Sequence, residues 1–189
     1  MALNINSPFD KKVAKALKAG DEVLINGLIV TARDAAHKYL IECDTPPFDL
    51  TGMIIYHCGP VIIKDGTEWK VTAAGPTTSV REEPYEAAII RRFSPSAIMG
   101  KGGMGKVTHE ALIESGSVYL SAAGGAAQYL ASCIKEVKAV YLEDLGQPEA
   151  MWVLRVEKMP AVVSMDSAGM SLYSEILADS GGRLKNLLS

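Results

Sequence analysis

Residues 22–32, EVLINGLIVTA, place two β-rich runs on either side of Asn26-Gly27. Asn-Gly between apolar runs is the strongest short-range hairpin signal, because both central positions of a tight type I′ turn need φ > 0. The stretch therefore predicts a hairpin at Asn26-Gly27. Residues 61–73, VIIKDGTEWKVTA, repeat the pattern about Asp65-Gly66. Two hairpins put antiparallel pairing early in the fold.

Further along, residues 34–42 read as a short helix and residues 51–63 as a strand region around Gly59-Pro60. From residue 86 the pattern becomes α/β. Residues 86–93 read as a helix and 97–99 as a short apolar strand. A helix is predicted over 108–115, with Thr108 as N-cap, Glu110 in its first turn and Gly116 behind its end. Residues 117–122 form a predicted strand meeting Gly124-Gly125, and 126–137 a predicted helix. Residues 152–165 hold two strand-like runs, and 171–188 a closing helix broken at Gly181-Gly182. Short links between strand and helix favour a parallel or mixed sheet. The class is α/β, a mixed sheet with early hairpins and later strand-helix units rather than a regular doubly wound sheet.

At 189 residues, 48% apolar and 22% charged, residues 1–189 have the size and balance of a single globular unit. A net charge of −3 leaves no basic footprint for nucleic acid. No apolar run approaches the roughly 20 residues that span a bilayer, and residues 1–10 lack a basic region followed by an apolar one. The expectation is a soluble cytoplasmic protein, with neither membrane nor nucleic acid as partner. Cys43, Cys58 and Cys133 form no C-x-x-C pair and read as buried, unligated thiols, so no metal or cofactor site is expected in the chain itself.

Three loops concentrate chemistry-bearing residues. In residues 31–37, TARDAAH, Arg33 and Asp34 stand where a strand hands over to a helix, so the guanidinium fork can meet an anion near the helix amino end. A plainer reading makes Asp34 a helix cap, Arg33 a solvated charge and His37 a structural histidine. Residues 75–81, GPTTSVR, put three hydroxyls before Arg81, with Thr77 one helical turn away; ordinary capping also accounts for them. Residues 100–106, GKGGMGK, surround Lys101 and Lys106 with four glycines, more than a plain turn needs. They match a P-loop as far as G-x-x-x-x-G-K, and residues 139–144, AVYLED, pass for its companion strand. Val107 breaks the match where a P-loop needs a magnesium-binding hydroxyl, and Thr108 comes one position late.

Together, TARDAAH at 31–37, GPTTSVR at 75–81, MGKGGMGK at 99–106 and GQPEAMW at 146–152 resemble one family, in its motif order, from about residue 20 to residue 173. The resemblance is to the beta subunit, or carboxy-terminal domain, of the iron-sulfur hydro-lyases, class I fumarase and L-tartrate dehydratase. It implies a swivelling β/β/α domain and reversible addition of water across a carbon-carbon double bond, as in fumarate to L-malate. It also implies a partner alpha subunit carrying a 4Fe-4S cluster, over whose bound dicarboxylate the beta subunit closes. By motif, Arg33 and Arg81 match arginines that grip substrate carboxylates. Thr77 matches a threonine that moves the proton next to the carboxylate, and Lys101 a lysine that faces the substrate. A threonine hydroxyl is a poor base unless activated, so Asp34, His37 or an alpha-subunit carboxylate can share that role. Tartrate is the alternative substrate, and a P-loop-like nucleotide-binding module is the alternative of another class.

Overall fold

The computed structural model describes residues 1–66 and 68–188. The elements run β1 (Leu3–Ser7), α1 (Lys11–Ala16), β2 (Glu22–Ala32), α2 (Asp34–Glu42), β3 (Ile54–His57), β4 (Val61–Asp65), β5 (Glu68–Ala73), a 3-10 turn (Ser79–Glu82) and α3 (Glu83–Phe93). They continue as β6 (Ala97–Gly100), α4 (Lys106–Ser115), β7 (Val118–Ser121), α5 (Ala127–Cys133), β8 (Ile134–Tyr141), β9 (Met151–Met165) and α6 (Leu172–Leu188).

Contrary to expectation, EVLINGLIVTA makes no hairpin. It is one continuous strand, because β2 has ladder partners along both halves: β1 lies parallel beside residues 23–27, β3 parallel beside 29–32, and β9 antiparallel along 22–30. Asn26-Gly27 is spent on a bulge instead. Gly27 takes φ +90, a Cβ there would run into the Ser7 carbonyl of β1, and the β9 register shifts between Ile25 and Gly27. The Asn26 side chain accepts a hydrogen bond from the Lys158 amide at 3.0 Å, which fixes the facing strand. The second hairpin does form: β4 and β5 pair antiparallel, with Asp65 opposite Glu68.

Parallel pairing runs β2-β3-β6-β7, and β9 bonds antiparallel to both β7 and β2, so the sheet returns on itself as a closed ring with β1 and β8 attached outside. This is the mixed α/β architecture expected, closed by a strand the sequence split in two. Residues 151–165 form one 15-residue strand, and the predicted helix over 126–137 stops at Cys133, where β8 begins. Likewise α6 passes unbroken through Gly181-Gly182. No described helix is long and apolar enough to cross a membrane.

Side-chain alternation divides the apolar residues into two clusters. Ile54, Tyr56, Met99 and Leu120 join one cluster with Ile25 and Ile29, inside the ring of strands. Ile55, Ile98 and Tyr119, the intervening residues, join the other, beneath α2, α3 and α4 through Leu40, Ile90 and Leu112. Every large side chain in this second set that is fully buried removes roughly 1.5–3 kcal/mol worth of apolar surface from water, which pins the three helices to the outer face. Their amino ends consequently crowd the carboxyl ends of β2, β3 and β6, the edge where open α/β sheets gather ligands.

Candidate active site

The parallel strands end at Ala32, His57, Gly100 and Ser121; Arg33 and Lys101 directly follow two of them, and Thr77 and Arg81 lie beyond the β4-β5 hairpin that follows β3. Main-chain hydrogen bonds lace the Thr77 and Lys101 loops together. The Thr77 amide donates to the His57 carbonyl at 2.7 Å, the Lys101 amide to the Thr77 carbonyl at 3.3 Å, and the Ser79 amide to the Lys101 carbonyl at 2.9 Å. Thr77 and Lys101 are thus neighbours by backbone, and Thr78 forms a parallel bridge with Lys101. Neither the Thr77 hydroxyl nor the Lys101 ammonium has a hydrogen-bond or ion-pair partner among the described residues.

Arg33 ends β2 and precedes α2. Its Nε lies 3.4 Å from Glu149 Oε1, an ion pair without hydrogen-bond geometry that leaves donor capacity open. Glu149 Oε2 also accepts the Ala35 amide at 3.0 Å, so the GQPEAMW segment occupies the amino end of α2. The Arg33 guanidinium packs against Gly59, where a Cβ would meet Nη1 at 2.6 Å, and the neighbouring Cys58 bridges to Pro76, one residue from Thr77. Arg81 reaches the same rim from the other side and pairs with Asp34, at 53% and 37% side-chain exposure. Arg33, Thr77, Arg81 and Lys101 therefore gather on one rim. Clefts of about 620, 350 and 420 Å³ lie elsewhere and include none of the four residues.

The helix that follows the glycine loop is already capped from within. Both oxygens of Glu83 occupy the amino end of α4, accepting the Gly105 amide at 2.7 Å and the Thr108 amide at 3.2 Å. A helix amino end already filled by an internal carboxylate repels a second anion, which overturns the nucleotide-binding alternative. Thr108 sits buried inside α4 and is not its cap; Gly105 holds that position, and no acid stands in the first turn. Lys106 is 88% exposed, 3.7 Å from Glu110. The glycines serve close approach instead. A Cβ at Gly100 would overlap Ser79 Oγ and lie 3.2 Å from both His57 Cβ and Tyr119 Oη.

Below Gly100 is a cluster that sequence reading missed apart from His37. His37 Nε2 donates to Glu86 Oε2 at 2.9 Å and His57 Nε2 donates to the same oxygen at 2.8 Å. His37 Nδ1 donates to the Arg33 carbonyl at 2.9 Å, while His57 Nδ1 faces Ser79 Oγ at 2.9 Å and Tyr119 Oη donates to Ser79 Oγ at 2.8 Å. One proton arrangement satisfies all of these contacts: His37 is an imidazolium, His57 is neutral with its proton on Nε2, and Ser79 donates to His57. Burial opposes the His37 charge, but Glu86, Glu82 and the Arg33 carbonyl outweigh it and raise its pKa to about 9. Burial lowers that of His57. Burial would raise Glu86, yet the two imidazoles hold it well below the ordinary carboxylate range. Glu82, with Oε2 3.6 Å from His37 Nδ1, is pushed up to about 7, by burial first and by the nearby Asp34. The signal was present: Glu82 and Glu86 fall on the same helical stripe as Ile89, Ile90 and Phe93, so these acids face the core.

The ligand atoms of His37, His57 and Glu86 lie within 4.8 Å of one another. An Nε2 from each ring sits at hydrogen-bond distance from one carboxylate oxygen, while Glu86 Oε1 and both oxygens of Glu82 are buried without a hydrogen-bond partner. The cysteines do not fit an iron-sulfur cluster. Cys43 donates to the Leu40 carbonyl, Cys133 is paired with the Lys158 carbonyl, and burial pushes the Cys58 thiol up to about 12, away from the thiolate a cluster needs.

The profile of the Fumarase C-terminus family matches residues 1–176. The chain belongs to this family. A putative class I fumarate hydratase of Geobacillus stearothermophilus is 55% identical over 175 residues, which are 92% of this chain and 34% of the relative. A putative L(+)-tartrate dehydratase beta subunit of Methanocaldococcus jannaschii is 46% identical over 172 residues, 88% of each chain. The L(+)-tartrate dehydratase beta subunit of Escherichia coli K12 is 35% identical over 173 residues, 90% of this chain and 86% of the relative. Against its fumarase relative, then, this Fumarase C-terminus chain spans about a third of the length; against the beta subunits it spans most of it.

Proposed function

We propose that this chain is the beta component of an iron-sulfur hydro-lyase that hydrates fumarate reversibly to L-malate. In this reading the 4Fe-4S cluster is held by a partner alpha subunit, and the assembly works in the cytoplasm. The observation that carries it is the rim itself. Two arginines, a lysine and a hydroxyl converge there, and the Thr77 hydroxyl and Lys101 ammonium have no partner among the described residues.

Fumarate and malate are dianions, so binding them calls for several fixed cations. Arg33 and Arg81 take the carboxylates, with Lys101 as a third charge beside Thr77. As the proton next to a carboxylate leaves, negative charge spreads onto that carboxylate, and preorganised cations there favour the transition state over the ground state. Thr77 is assigned the proton transfer, and Asp34, bonded to Arg81, is a carboxylate of the same rim that can share that role. The partner covers the rim and excludes bulk water, leaving the single water molecule that adds across the double bond.

Turnover of fumarate, L-malate and L-tartrate by the chain assembled with its alpha partner tests the proposal. Activity on fumarate and malate supports it. The relatives that match this chain over most of their own length carry the tartrate dehydratase name, so tartrate is the second reading. Turnover of tartrate alone replaces the first reading with the second.

A further inference from the structure

We propose that Glu86 is a positioning residue for this site: through one carboxylate oxygen it sets the separation of the loop bearing Arg33 from the loops bearing Thr77, Arg81 and Lys101. The inference rests on the dicarboxylate reading of the rim. Glu86 Oε2 receives both histidines, at 2.9 Å from His37 and 2.8 Å from His57. Each histidine uses its other nitrogen on a different loop. His37 Nδ1 donates to the main-chain carbonyl of Arg33 at 2.9 Å. His57 Nδ1 takes the Ser79 hydroxyl at 2.9 Å, and the His57 carbonyl accepts the Thr77 amide at 2.7 Å. Ser79 in turn donates its amide to the Lys101 carbonyl at 2.9 Å and lies two residues from Arg81. A single oxygen atom is thereby the common origin of two rigid arms, one per carboxylate grip.

Stability alone gives no reason for this design. Glu86 and both imidazoles are fully buried, and Glu86 Oε1 has no hydrogen-bond partner. Desolvating such a cluster costs several kcal/mol, and well-packed apolar groups of equal volume are commonly as stable or more so. What apolar packing lacks is a fixed directional length between two loops. A ligand with carboxylates at both ends of a four-carbon chain requires that length, and a displacement of about 1 Å can cost about 10²-fold in rate.

In the assembled enzyme, Glu86→Gln keeps the shape and removes the charge that orders both rings. Its kcat/KM for fumarate is expected to fall about 10²-fold, and that of Ser79→Ala, which frees only the His57 arm, about 10-fold. Because both act through His57, the double variant should be no worse than Glu86→Gln within about threefold. Multiplicative losses, or Ser79→Ala within twofold of wild type, overturn the assignment, and the second result does so even if Glu86→Gln fails to assemble. Binding of succinate and acetate to the chain separates this inference from the hydration activity. Wild type should prefer succinate and Glu86→Gln should lose that preference. A wild type that does not discriminate, or a variant that discriminates equally, overturns the positioning role. Absent fumarate turnover with succinate preference intact removes the proposed reaction and leaves the positioning role standing.

Discussion

The rim and the cluster beneath it are built from similar residue types and treat them in opposite ways. At the rim, Arg81 is half exposed, Lys101 has no partner among the described residues, and Arg33 has an ion pair but no hydrogen bond at Nε. Beneath it, every nitrogen of His37 and His57 is engaged, and Glu86 Oε2 takes two hydrogen bonds. The exposed cations of the rim are placed to meet a ligand, whereas the bonded rings beneath them hold the geometry. The same division separates the two lysines of the glycine loop. Lys101 is anchored by its backbone to Thr77, whereas Lys106 projects into solvent.

The largest test of that contrast is Arg81→Met. Turnover of the assembled enzyme should fall by about 10²-fold or more, since a preorganised charge is lost, while the melting temperature stays near wild type. An unchanged rate would mean that an exposed cation of the rim carries no function. Arg33→Lys should also be damaging, because an ammonium cannot reproduce the fork.

Next comes Gly100→Ala. It forces a methyl group into Ser79 Oγ and His57, and overpacking of this kind costs about 1–3 kcal/mol, readable by denaturant unfolding. A neutral result would show that the cluster accommodates the added methyl group.

The pH dependence follows from the two raised groups. Glu82 contributes stability that is full below its ordinary value near 4.5 and is lost as pH rises through about 7. The His37 contribution is full below 6.5 and lost as pH rises through about 9. Melting temperature should therefore decline between about pH 6.5 and 8, clear of the opposite contributions of His57 below that window and Lys11 above it, and Glu82→Gln, which mimics the protonated acid, should lessen the decline. A shift of that size is worth about 3 kcal/mol at most. Smaller still, Glu83→Ala should cost on the order of 1–2 kcal/mol by uncapping α4, and Lys106→Ala should change neither stability nor rate beyond about 0.5 kcal/mol.

Sequence carried the rim further than it carried the framework. TARDAAH, GPTTSVR and the glycine stretch were legible because hydroxyls, arginines and glycines sit where strands hand over to helices, and Asp34–Glu42 is the helix expected over residues 34–42. Asn26-Gly27 misled because turn chemistry is local, whereas β1 and β9 compete for both halves of the strand from far along the chain. The break after Cys133 was hidden for a similar reason: residues 134–141 become β8 only because β9 offers them a ladder. His57 and Glu86 went unread since their meaning lies in a contact between residues 29 positions apart.

The ring of strands is completed by its last member. Until residues 151–165 leave the ribosome, β2 and β7 each present an unpaired backbone edge, and the ring interior behind Ile25, Tyr56 and Leu120 has no lid. Exposed edges of this kind invite pairing with other chains. The interval before β9 emerges is accordingly the most hazardous moment in the life of this polypeptide, and a ribosome stalled near residue 150 would release a product prone to aggregate.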